Sequence, residues 1–138
     1  MGRLLFALLV GVIVNGLLVF GVETVSTVLH PLPPGFDANN VGQMRAHLAS
    51  GGVPVTTMVM VVVGYLLGAF GGAFAASKLA PNRGLMPALV IGQISLMFII
   101  INLITLPHPM WMMIASVLVP IPGAWAGGRA AHARGGMK

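Results

Sequence analysis

Cysteine is absent and acidic residues number only two in a chain of 138. Without thiols there are no disulfides, no thiolate nucleophile and no Cys-ligated zinc or iron–sulfur site. With Glu23 and Asp37 as the only carboxylates, paired-carboxylate catalysis has almost no raw material, so an enzyme is not expected. Charged residues of both signs make up 7% of the chain, against about a quarter in a soluble domain. A water-facing surface cannot be built from so few. The net charge of +5 invites a nucleic-acid reading, but the basic residues are strung out at segment ends and form no stripe, so no nucleic-acid partner is expected.

What fills the chain is apolar. Hydrophobic residues account for 57%, and the mean hydropathy is +0.99 with no separate polar half. The expectation is a single all-α domain over residues 1–138, a polytopic membrane protein whose partner is the lipid bilayer. Four spans are expected, at about residues 4–29, 53–77, 87–106 and 110–131. Pro31 closes the first, because a residue preceding proline is pushed out of the helical region. A signal peptide is the competing reading of that run, but it is too long for an h-region and no small-residue cleavage site follows. Prolines at 54 and 87 sit in first turns, where a missing N–H costs nothing. The spans pair as two tandem helical hairpins. Loop 30–52 joins the first pair, with an extended proline-rich piece and then a short helix through Ser50, capped by Asp37 or Asn39 and stopped by Gly51-Gly52.

Lys and Arg near the span ends set orientation. Arg3, Lys78, Arg83, Arg129, Arg134 and Lys138 fall on one side and Arg45 alone on the other. The termini are therefore expected in the cytoplasm, with loop 30–52 and the Pro107 corner outside. A weak internal repeat accompanies this plan. The segment from Gly68 to Ala76 resembles that from Gly123 to Ala131, and a carboxamide precedes each outer histidine by 15 residues, Asn15 before His30 and Gln93 before His108.

Three sets of residues stand out. Gly64, Gly68 and Gly72 recur every fourth residue and, with Gly123 and Gly127 in span four, make small-residue strips suited to close helix packing, either within the monomer or between copies. Ala7 lacks such a repeat and is expected to tolerate enlargement better than Gly68. Asn15, Gln93, Ser95 and Asn102 are polar residues inside spans one and three, either interhelical hydrogen-bond formers or the lining of a path. Glu23, His30, Asp37, Arg45, His47 and His108 are all expected toward the outer side as a polar cluster, with Glu23 paired to His30, Arg45, His47 or His108. A metal ion there is the sharper alternative, weakened by the lack of any ligand-like histidine spacing. Pro120 and Pro122 free the carbonyls of Ser116 and Leu118 in span four, and Trp111 and Trp125 suit interface belts.

The order Glu23, His30-Pro31, Pro34-Gly35-Phe36-Asp37, glycine-rich Gly64 to Gly72 and Pro107-His108-Pro109-Met110-Trp111 resembles a widespread, uncharacterised group of small four-span bacterial inner-membrane proteins. The resemblance covers nearly the whole chain. It implies the fold and the bacterial inner membrane, and no activity. The functional expectation is a small non-enzymatic protein acting through helix packing, as an accessory subunit of a larger membrane complex or as a homo-oligomer. The alternatives are a small transporter or channel with a polar path through spans one and three, and an outer-face metal-binding protein. No cofactor is expected.

Overall fold

The computed structural model describes residues 1–133, so Arg134 and Lys138 of the charge count lie outside the described residues. The chain folds as an all-α polytopic membrane protein. Its helices are α1 (Gly2–Leu29), α2 (Val41–Ala49), α3 (Val55–Leu79), α4 (Met86–Thr105), α5 (Met110–Leu118) and α6 (Pro120–Ala133), with one 3-10 turn at Pro81–Arg83. Helices α1, α3 and α4, and α5 with α6 taken together, are each long and apolar enough to cross a bilayer.

Proline writes most of the boundaries. His30, Ala80 and Leu106 each precede a proline, and each leaves the helical region, at φ −131°, −128° and −120°. Val119 also precedes a proline but stays helical at φ −78°, ψ −30°, so α5 and α6 continue one another across a kink. Backbone bonds from Val119 to Ala115 and from Gly123 to Val119 carry the ladder through it. The cap of α2 differs from expectation. Asn40, rather than Asp37 or Asn39, accepts from the Gln43 N–H at 3.1 Å, while the Asp37 carboxylate accepts from the Asn39 N–H in the preceding turn. Gly51, at φ +72°, ends the helix in a conformation open to glycine.

Helix α3 is the centre of the bundle, with α1, α4 and α6 around it. Its strip of Gly64, Gly68 and Gly72 faces α1. A Cβ built on Gly68 would lie 2.7 Å from Val19 Cγ2, and one on Gly72 would lie 2.9 Å from the Asn15 Cβ. Gly123 and Gly127 of α6 press on another side of α3, where a Cβ would meet Leu66 O at 3.1 Å and the Phe70 carbonyl carbon at 3.0 Å. Both strips therefore pack inside the monomer. Lipid tails are as apolar as leucine, so this close approach and its dispersion contacts replace the hydrophobic drive. The core between the helices is correspondingly small-sided: Ala69, Ala73, Ala76, Ala88 and Ala124 gather around Ile91. Ala7 is fully buried, contrary to its expected tolerance, because α1 approaches its neighbours closely at that end without needing a glycine repeat.

The two ends differ in chemistry. At one, Arg3 Nε donates to Leu79 O at 2.8 Å and the His132 ring donates to Gly84 O, while Lys78 lies over Phe74 and Arg129 over Trp125. At the other, Arg45 of α2 donates to Thr105 O at 2.9 Å. In each case an arginine meets carbonyls left over at a helix C-terminus, the negative end of its dipole.

Candidate functional site

The repeating carboxamides fare differently. Asn15, near the middle of α1, donates through Nδ2 to Ser95 Oγ, near the middle of α4. Below this bond, toward the basic end, the helices close tightly: a Cβ on Gly11 would stand 2.7 Å from Ile91 Cδ1, 2.8 Å from Gly72 O and 2.9 Å from the Ala76 Cβ. Above it they diverge. The space between them is a cleft of about 440 Å³, floored by Asn15 and Ser95, backed by Tyr65 of α3, and walled by Val19, Phe20 and Glu23 on one side and by Phe98, Ile99 and Asn102 on the other.

Depth follows from helical rise. Taking each helix midpoint as the bilayer centre, Glu23 lies about 11 Å and Asn102 about 10 Å from it on the α2 side. They therefore stand at one level on opposite walls, still inside a hydrocarbon core that reaches about 15 Å from the centre. Gln93 sits about 4 Å from the centre on the basic side. Unlike Asn15, it is exposed and makes no side-chain hydrogen bond among the described residues.

The six residues expected as an outer cluster do not gather. His30 Nε2 and Thr56 Oγ1 are 3.0 Å apart, linking α1 to the start of α3. Asp37 is used within its turn, and its own N–H donates to the Gln43 side chain. Arg45 caps α4, His47 packs against Phe36 at 5.2 Å between ring centroids, and the His108 ring donates to Leu106 O at 2.7 Å. Glu23 pairs with none of them, because it lies two helical turns below His30 on the cleft wall, and it forms no ion pair among the described residues. No group of three His, Asp or Glu side chains suited to a metal ion is present among the described residues.

Of the polar residues marked inside the spans, Asn15, Ser95 and Asn102 come together with Glu23, while Gln93 faces away. Tyr65 was missed. The signal available is its rarity, the only tyrosine in the chain, one residue after Gly64 and so beside the strip that faces α1. Chemically, the cleft offers a carboxylate that is unpaired among the described residues, and amide and hydroxyl groups near its mouth and floor, with aliphatic and aromatic walls between. No protein family matches the chain, and no curated protein or solved structure matches it.

Proposed function

We propose that this is a non-enzymatic membrane protein that binds an amphiphile with a cationic head in the cleft between α1 and α4. The observation that carries the reading is Glu23, a carboxylate at hydrocarbon depth with no ion-pair or hydrogen-bond partner for its side chain among the described residues, at the mouth of a cleft of about 440 Å³. That volume is within the range of small-molecule sites, roughly 300 to 1,000 Å³. An unpaired charge in a medium of low dielectric is costly, and a cation supplied by a ligand removes the cost. The ammonium would lie between Glu23 and Asn102, and the alkyl chain along Val19, Phe20, Phe98 and Ile99. Because the helices close below Asn15 and Ser95, the arrangement supports binding over conduction.

The charge asymmetry, with Arg45 at one end against Arg3, Lys78, Arg83 and Arg129 at the other, favours cytoplasmic termini and a cleft in the outer leaflet. The resemblance in the sequence favours a bacterial inner membrane. Equilibrium binding of radiolabelled dodecyltrimethylammonium to the protein in nanodiscs tests the reading. Saturable binding is expected, weakened about tenfold by Glu23→Gln, which corresponds to about 1.4 kcal/mol. Equal binding by wild type and variant would refute it.

A further inference from the structure

The lipid-facing surface of α4 carries one group that does not belong in lipid. Met86, Leu89, Gln93, Met97, Ile100 and Ile104 fall on one straight stripe at the helix period, and all six are exposed. Five are apolar. The sixth, Gln93, places a carboxamide close to the bilayer midplane, where no water is present to satisfy it. Ile13 and Leu17, exposed on the lipid side of α1, show what an ordinary lipid-facing surface in this chain looks like.

A carboxamide carries two donors and an acceptor in one group, so it is complementary to itself. Across a two-fold axis parallel to the membrane normal, the same side chain of a second copy arrives at the same depth, and each can donate to the other. Two copies held in one orientation by the asymmetry of their basic residues meet this geometry without adjustment. We infer that the α4 stripe is a parallel homodimer interface, with the two Gln93 side chains hydrogen-bonded at its centre. Apolar residues above and below exclude lipid and supply packing, and the single polar pair fixes register, as a buried polar residue does in a coiled coil.

The interface is separate from the cleft. Gln93 lies about 160° around α4 from Ser95, so a dimer built on the stripe leaves both clefts open on the opposite faces. The inference therefore does not depend on the ligand reading, and the two can fail independently.

The absence of native cysteine allows a direct test. Met97→Cys and Ile100→Cys, reconstituted separately in liposomes and oxidised, are expected to give covalent dimers, while Ile13→Cys on α1 stays monomeric. Adding Gln93→Leu to the Met97→Cys chain is expected to lower the cross-linked fraction about tenfold at limiting protein-to-lipid ratio. Gln93→Asn, which keeps a carboxamide, is expected to restore part of it. Glu23→Gln should leave it unchanged. Cross-linking of Ile13→Cys as readily as Met97→Cys, or a monomeric Met97→Cys chain, would overturn the interface. Undiminished dimerisation with Gln93→Leu would overturn the role of the carboxamide.

Discussion

Three glycine-to-alanine substitutions add the same methyl group in three surroundings, and the structure ranks them. At Gly16 nothing lies within 4 Å of the new carbon. The change there should be neutral or slightly stabilising, since alanine is the better helix former by up to about 1 kcal/mol. At Gly71 the carbon runs into Leu18 Cδ1, the end of a flexible side chain that can rotate away. A cost of about 0.5 kcal/mol is expected. At Gly127 the obstacles are all backbone: the carbonyl oxygen of Phe70, its carbonyl carbon at 3.0 Å and its Cα at 3.2 Å. No side chain can yield, so α6 must move from α3 by about 0.5 to 1 Å to restore carbon contacts near 3.5 to 4.0 Å. That shift also loosens Gly123 against Leu66. Overpacking of this kind costs about 1 to 3 kcal/mol, and the helix-propensity gain offsets only part of it. Unfolding in mixed micelles at increasing SDS fraction measures the series. The expected order of stability is Gly16→Ala, then Gly71→Ala, then Gly127→Ala, with at least about 1 kcal/mol between the first and the last. A Gly127→Ala protein as stable as the Gly16→Ala protein would mean that α3 and α6 are not in backbone contact.

Asn15→Leu removes the bond to Ser95 and leaves that hydroxyl without its partner, so a loss of about 0.6 to 1.7 kcal/mol is expected in the same unfolding assay. Arg45→Ala releases α2 from the end of α4, and limited proteolysis should then cut between residues 37 and 52 at least several-fold faster, with the bundle itself intact. Ala7→Leu, at a fully buried position, is expected to destabilise about as much as Gly68→Leu, by about 1 to 3 kcal/mol. For orientation, a cysteine at Ala38 should react with an impermeant maleimide from outside intact cells, and one at Asn82 only after permeabilisation. Labelling of Asn82 from outside would reverse the topology.

Proline and hydropathy make the spans readable because both act locally: the residues before Pro31, Pro81 and Pro107 leave the helix, although Val119 before Pro120 does not. The small-residue strip of α3 was equally legible as a packing face, although its neighbour, α1, was not. Polar residues were harder to place, since their meaning depends on helix rotation. Asn15 and Gln93 occupy matching positions in the repeat, yet one is turned inward to Ser95 and the other outward. Depth along α1 alone points Glu23 to His30, Arg45, His47 or His108, whereas its azimuth sends it to the cleft instead. Spacing along one helix says which residues share a face, whereas the direction of that face is decided by the glycine contacts of α1 with α3. The scattered histidines illustrate the same point. Each has a nearer partner in its own loop or on an adjacent helix than any long-range ligand.

The bond from Arg45 to Thr105 joins a loop of the first hairpin to the last turn of α4, and this imposes an order of events during biosynthesis. Helices α1 and α3 can pack through their glycine strip as soon as both have left the ribosome and entered the bilayer. Until α4 follows, α2 has no carbonyl to hold, the cleft has one wall, and Glu23 faces lipid alone. Insertion of α4 then completes the cleft and fastens α2 in the same step. A chain stopped before Thr105 would thus carry a cleft without its α4 wall and a loose loop at its surface.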